Sequence, residues 1–145
     1  MEKSLVFLFV VYVCCLEYVQ LAYVPKSKHE LMRIAKDCID QTQVDPADIH
    51  AVIENEQVPT TNTDKYKAFL ACSYKKQGYL SEDGTAMLYD NLFSFLELFY
   101  NAENLKYVEH CKSIRANDPG ELCFKNLDCI LTGLKQYERD NGIID

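Results

Sequence analysis

Cysteine is the residue type in this chain whose side chain can take part in the widest range of chemistry. The chain has seven cysteines in 145 residues. Two lie in an apolar stretch at the start and five follow it: Cys14 and Cys15, then Cys38, Cys72, Cys111, Cys123 and Cys129. A thiolate can act as a nucleophile, bind zinc or form a disulfide. If one of the last five stays unpaired, many disulfide arrangements are possible, and spacing alone does not choose among them.

Histidines could add acid–base or metal chemistry, but their positions do not favour it. His29 and His50 are isolated, and no two histidines are four residues apart, the spacing that puts two imidazoles on one helical face. Glu109, His110 and Cys111 are consecutive, so on a helix they would point in different directions. A helical phospholipase would also need a histidine beside a glycine-rich calcium loop. We therefore expect no catalytic residue, no metal site and no cofactor.

The first 22 residues are predicted to be a signal peptide. Lys3 gives a basic start, residues 5–16 form an apolar run, and Ala22 offers a cleavage site although Gln20 is a poor residue near it. The run is too short to span a bilayer, and a membrane anchor is the alternative. Residues 23–145 are then expected to be one secreted domain. Its 14 basic and 20 acidic side chains give a net charge of −6, which disfavours nucleic acid as a partner.

Capping signals and apolar periodicity predict an all-α domain of about six helices. Ser27 and Glu30 form a capping box for a first helix over about 28–41. Asp45 before Pro46 starts a short second helix.

Four further helices are predicted along the rest of the chain. Thr63 is expected to cap a third helix that ends at Gly78. A fourth covers about 85–100 and is apolar almost all round, which indicates burial on most sides, and a fifth covers about 102–116. Asp118 and Pro119 then start a sixth helix that runs to about 139.

Ala68 and Gly120 complete a spacing pattern with four of the cysteines. The intervals from Cys38 to Ala68, Cys72, Cys111, Gly120 and Cys129 contain 29, 3, 38, 8 and 8 residues. This series resembles the insect odorant-binding proteins of the pheromone and general-odorant-binding family, in which cysteine one pairs with three, two with five and four with six. Ala68 and Gly120 stand at the second and fifth positions, so both partners of one disulfide are missing. The resemblance is therefore to the branch with reduced cysteine content.

The resemblance implies the architecture and the activity. It implies disulfides Cys38–Cys72 and Cys111–Cys129, with Cys123 as a free thiol. It also implies helices around an apolar cavity that carries a small hydrophobic ligand through aqueous fluid, without catalysis or membrane insertion. The implied partners are that ligand and an odorant receptor, and the implied state is a monomer or weak homodimer.

Transferring the family pocket onto this chain, position by position from the cysteines, implies a set of wall residues. They are Leu31, Ile34, Leu70, Tyr74, Tyr79, Leu80, Leu88, Leu92, Phe95, Leu105, Val108, Cys123, Leu127 and Ile130. Tyr74 is the expected polar contact, because it is the one phenol at a lining position on a helix.

Two alternatives remain open at this point. The aromatic residues of the third and fourth helices, considered without the resemblance, would indicate a filled core in a structural or signalling protein. A carrier in haemolymph, gland or reproductive fluid would have the same sequence features as an olfactory one. The tail contains Ile143 and Ile144, and it is expected either to fray or to fold over the pocket as a lid.

Overall fold

Six α-helices and one 3₁₀ helix make up the described fold, in a computed structural model that covers residues 23–61 and 63–144. The helices are α1 (Lys28–Thr42), α2 (Pro46–Asn55), α3 (Thr63–Gln77), α4 (Tyr89–Leu96), α5 (Ala102–Lys106), the 3₁₀ helix (Glu109–Ser113) and α6 (Pro119–Asp140). The predicted all-α class is confirmed. The predicted signal peptide lies outside the described residues. Within these ranges, no helix is both long and apolar enough to cross a membrane.

The capping residues start α1 and α6 where the sequence predicts. The Ser27 hydroxyl accepts a hydrogen bond from the backbone N–H of Glu30, and the Glu30 carboxylate accepts one from the backbone N–H of Ser27. At α6 the Asp118 carboxylate accepts from the N–H of Glu121 at 2.8 Å. Both sets of contacts satisfy N–H groups that have no partner within the helix.

The two ends of α3 differ in how well they were predicted. Gly78 ends the helix with φ +85°, a left-handed conformation that glycine adopts without steric cost. Thr63 is the first helical residue rather than the cap, so that prediction is wrong.

The fourth helix is shorter than predicted, because its expected first turn belongs to a loop. The Asp83 carboxylate accepts from the N–H and the hydroxyl of Thr85, at 3.0 and 2.7 Å. The Ser81 hydroxyl accepts from the N–H of Ala86 at 3.0 Å. These bonds occupy backbone donors in a non-helical conformation. Hydrogen bonds from Ser81 and Thr85 also lower the pKa of Asp83 to about 2.

The predicted burial of this region is wrong at its C-terminal end. Helix α4 stops at Leu96, and Leu98 and Phe99 are 62% and 68% exposed. The chain turns after Leu96, and Asn101 starts α5 by accepting hydrogen bonds from two N–H groups of the first turn. A new helix start at Asn101 therefore redirects the backbone and brings these two side chains to the surface.

The predicted fifth helix is also interrupted, after Lys106. A Cβ atom added to Gly133 of α6 would lie 2.7 Å from the carbonyl oxygen of Tyr107, so the backbone crosses α6 at very short range. Beyond that crossing the chain continues as the 3₁₀ helix, where the Tyr89 hydroxyl donates to the carbonyl of Cys111 at 3.0 Å. Fully buried Asn126 of α6 donates to the same Tyr89 hydroxyl at 3.1 Å.

Helix α3 packs against both α1 and α6, and two disulfides fix the arrangement. Cys38–Cys72 joins α1 to α3, and Cys111–Cys129 joins the 3₁₀ helix to α6, each with a Cα–Cα distance of 5.8 Å. These are the pairs that the family resemblance implies.

An ion pair occupies the junction of α3 and α6 where the third disulfide of the family would lie. The ammonium of Lys67 lies 2.5 Å from the carboxylate of Glu121 and 5.0 Å from the ring centre of Phe124. A Cβ atom on Gly120 would approach the Cβ and carbonyl oxygen of Lys67 at 3.0 Å. The two helices are therefore in close contact without a covalent link here. The hydrogen bond to Lys67 lowers the pKa of Glu121, and the same bond raises the pKa of Lys67.

Cys123 is the free thiol of the described residues, and it is fully buried on α6. Burial raises its pKa to about 12, with a smaller contribution from Asp118. Because the thiolate is the reactive species, we expect iodoacetamide at pH 8 to leave the native protein unmodified. In denaturing urea without reductant, residues 23–145 should take up one label, on Cys123. Intact-mass measurement followed by peptide mapping tests this; labelling of another cysteine in residues 23–145, or fast labelling of the native protein, would contradict the disulfide assignment or the burial.

Candidate functional site

A cavity of about 390 Å³ lies between α2, α3 and α6. Most of its wall is apolar or aromatic. It is lined by Val52, Ile53, Glu56, Tyr66, Phe69, Leu70, Ser73, Tyr74, Tyr100, Leu127, Leu131, Leu134 and Glu138. The volume is within the range of pockets that hold small organic ligands.

Helical spacing explains why these side chains meet. Residues three and four apart share one face of a helix, and α6 presents Leu127, Leu131 and Leu134 at this spacing. Helix α3 contributes Tyr66, Phe69, Leu70, Ser73 and Tyr74 in the same way. The cavity therefore lies where the apolar faces of two long helices meet below the short helix α2.

Three tyrosines give the cavity its polar character. In the described ranges, the hydroxyl groups of Tyr66, Tyr74 and Tyr100 form no hydrogen bond with another residue, so they are free to bind a ligand. Burial raises the pKa of Tyr66 to about 12, and it also raises the pKa of Tyr74, with nearby Cys123 adding to that effect. Both phenols therefore keep their protons at neutral pH and can donate hydrogen bonds.

The edge of the cavity is acidic. Glu56 follows the last residue of α2, Glu138 lies near the end of α6, and both line the cavity beside Tyr100. Burial raises the pKa of Tyr100, and the charges of Glu56 and Glu138 add to the increase. Both carboxylates are therefore close enough to the phenol to oppose its ionisation.

Behind the cavity wall lies a cluster of aromatic rings. Tyr79 packs edge-to-face against Tyr74 and Tyr23, with centroid distances of 5.8 and 5.9 Å. Its ring is tilted against that of Phe95, at a centroid distance of 5.7 Å. Phe95 in turn contacts exposed Phe99 at 5.3 Å. The buried hydroxyl of Tyr79 has no hydrogen-bond partner in the part of the chain that the structure describes. Such aromatic pairs add stabilisation beyond the area they bury, and here they pack behind Tyr74.

The residues predicted for the pocket wall fall into three groups. Leu70, Tyr74 and Leu127 line the cavity. Leu31 and Phe95 are half-buried outside its lining, and Leu88 is 39% exposed because it lies in the loop before α4. The others are core residues away from this lining: Ile34, Tyr79, Leu80, Leu92, Leu105, Val108, Cys123 and Ile130.

Several lining residues were not among the predicted wall residues. Tyr66, Phe69 and Ser73 belong to the apolar stripe of α3, so helical periodicity does place them on the face with Leu70. Glu56 and Glu138 had no such signal, because a charged residue at a helix end usually faces solvent.

Two other places in the structure are less suited to an apolar ligand. A surface depression of about 720 Å³ beside Ala68 and Gly120 is larger, but charged side chains line it. The Nε2 atom of His110 lies 3.3 Å from the Sγ of Cys129. Together with Cys111, these two residues bring three atoms of metal-binding types close together. Both sulfur atoms are already used in the disulfide.

Comparison with known proteins identifies the family. The PBP/GOBP family profile matches residues 20–133, which is more than half of the chain. Neither a curated protein nor a solved structure gives a significant match. The matched range contains both disulfides and all the cavity-lining residues except Leu134 and Glu138. The chain therefore belongs to the PBP/GOBP family, the insect odorant- and pheromone-binding proteins.

Proposed function

We propose that this protein is a secreted carrier that takes a small hydrophobic ligand into the cavity between α2, α3 and α6. The observation that carries the proposal is the apolar cavity of about 390 Å³ with free hydroxyls in its wall. Burial of ligand surface in such a cavity contributes about 25 cal/mol per Å². The hydroxyls of Tyr66, Tyr74 and Tyr100 would orient the ligand.

The family membership supports the same conclusion. PBP/GOBP proteins are binding proteins and carriers rather than enzymes, and the family is secreted. The proposed mechanism is therefore uptake, transport through aqueous fluid and release, with no bond made or broken. An odorant receptor is the proposed recipient of the ligand, and the protein is proposed to act as a monomer or weak homodimer.

Uptake of N-phenyl-1-naphthylamine, whose fluorescence rises in apolar surroundings, tests the proposal. We expect the protein to bind this probe, and Leu127→Trp to reduce its uptake by about tenfold, because the indole would fill the cavity where small ligands bind. Leu88→Trp is the matched control, since Leu88 lies outside the cavity lining. It should bind the probe like the unmodified protein. Absence of uptake by the unmodified protein would favour the filled core instead, and an equal loss in both variants would place the probe elsewhere.

A further inference from the structure

The two carboxylates at the edge of the cavity have no partner among the residues that the structure describes. The structure gives Glu56 and Glu138 no ion pair and no side-chain hydrogen bond with any described residue, whereas other glutamates, such as Glu103 and Glu121, pair with lysines. Glu138 is only partly exposed, whereas Glu56 is exposed. Two carboxylates therefore line the cavity, and within the described residues neither forms a direct ion pair.

Over residues 23–61 and 63–144, no lysine, arginine or histidine lines the cavity. The basic side chains near Glu138 on α6 hydrogen-bond to uncharged groups: Lys135 donates to the carbonyl of Asn55, the residue before Glu56, at 2.8 Å, and Arg139 donates to Gln136 at 3.4 Å. The chain as a whole carries a net charge of −7. An anionic ligand would therefore meet repulsion at the cavity, and its carboxylate would find no basic partner in the lining.

Tyr100 completes the arrangement. It lines the same cavity as both carboxylates; burial raises the pKa of its hydroxyl, and the two negative charges raise it further. A cation at this position would gain from two ion pairs and from contact with the face of an aromatic ring. A neutral alcohol could hydrogen-bond to the same groups but would gain less.

We infer that the cavity selects ligands with an apolar body and a cationic amine head group, which Glu56, Glu138 and Tyr100 bind at the cavity edge. This inference rests on the proposed function, because it assigns the ligand class of the same cavity. The apolar body would contact Leu127, Leu131 and the rings of α3, as any hydrophobic ligand would. Selection among an amine, an alcohol and a carboxylate would therefore come only from the contacts that the head group makes at the cavity edge.

Competition among decylamine, decanol and decanoate tests the inference, because the three ligands share one chain and differ only in head group. Each would displace N-phenyl-1-naphthylamine at pH 7 and low ionic strength, below its micellar concentration. We expect decylamine to bind about tenfold more tightly than decanol, a ratio that corresponds to about 1.4 kcal/mol. Decanoate should be the weakest of the three. Added salt should lower the affinity for decylamine and leave the affinity for decanol unchanged.

The double variant Glu56→Gln with Glu138→Gln separates the head-group effect from folding. Decylamine should lose about tenfold in affinity, while decanol keeps its affinity and so reports an intact cavity. Glu54→Gln with Glu82→Gln is the matched control, since it removes two negative charges from residues that do not line the cavity. It should keep the preference for the amine.

Failure of the amine selectivity and failure of the carrier function would give different results. Equal affinities for amine and alcohol, tightest binding of decanoate, or an equal loss of preference in the control variant would overturn the amine selectivity and leave the carrier function standing. If the unmodified protein neither takes up the probe nor binds any of the three ligands, the carrier function itself fails.

Discussion

Replacing Cys38 and Cys72 together by alanine is expected to lower the free energy of unfolding by about 3 to 4 kcal/mol. The disulfide spans 34 residues and joins α1 to α3, and its removal gives the unfolded chain many more conformations. Equilibrium urea unfolding followed by circular dichroism measures the loss. The change should appear mainly as a lower midpoint at similar helix content in water.

The second disulfide provides a matched comparison. Cys111–Cys129 spans 18 residues, about half the loop of the first. Each pair has one fully buried cysteine, Cys38 or Cys111, and one half-buried partner, so the lost packing is similar. Loop length then predicts a loss smaller by about 0.6 kcal/mol for Cys111→Ala with Cys129→Ala. If this second variant loses more unfolding free energy than the first, packing at the 3₁₀ helix rather than chain entropy determines which disulfide stabilises the protein more.

The parts of the fold that were predictable from sequence depend on contacts between near neighbours. The caps at Ser27 and Asp118 and the helix end at Gly78 each involve residues only a few positions apart. Their physics is complete within a short segment, so the pattern of residue types is enough. The disulfide pairing needed more than the cysteine positions, because spacing by itself left the arrangement open and only the family resemblance chose one.

The fourth and fifth helices were mispredicted because other interactions override apolar periodicity. Ser81 and Asp83 bind the backbone N–H groups of the next segment, so the α4 helix starts only at Tyr89. The interruption after Lys106 depends on Gly133, a residue on another helix and distant in sequence. No periodicity within 102–116 contains that information.

The position of the cavity was only partly predictable for a similar reason. Leu70, Tyr74 and Leu127 were predicted and line it, and they lie close to the cysteines that fix the register of α3 and α6. Leu88 lies on a segment without such an anchor. The acidic edge arises from the ends of two helices that are far apart in sequence, so it becomes visible only when their packing is known.

The contact at Gly133 also explains how the cavity wall on α6 is held in place. This glycine directly precedes Leu134 of the cavity lining, and it lets the backbone of Tyr107 and the side chain of Val108 lie directly against α6. Cys111 follows shortly and forms its disulfide with Cys129 on the same helix. Close packing and the covalent bond therefore act together on one stretch of α6.

Substituting alanine for Gly133 is accordingly expected to destabilise the protein by about 2 to 3 kcal/mol, within the range for overpacked sites. The new methyl group would lie 2.7 Å from the carbonyl oxygen of Tyr107 and 2.8 Å from a methyl carbon of Val108. A backbone oxygen cannot rotate away as a flexible side chain can, so the segment has to move. The gain in helix propensity from glycine to alanine, up to about 1 kcal/mol, opposes this loss without cancelling it.

Thermal and urea unfolding of Gly133→Ala measure the effect, with Thr132→Ala as the control on the exposed face of the same helix. The control should change the free energy of unfolding by no more than about 0.5 kcal/mol. Because Gly133 directly precedes Leu134 of the cavity lining, Gly133→Ala should also weaken uptake of N-phenyl-1-naphthylamine under conditions where it is still folded. If Gly133→Ala is as stable as the unmodified protein, the close crossing of Tyr107 over α6 is not maintained in solution.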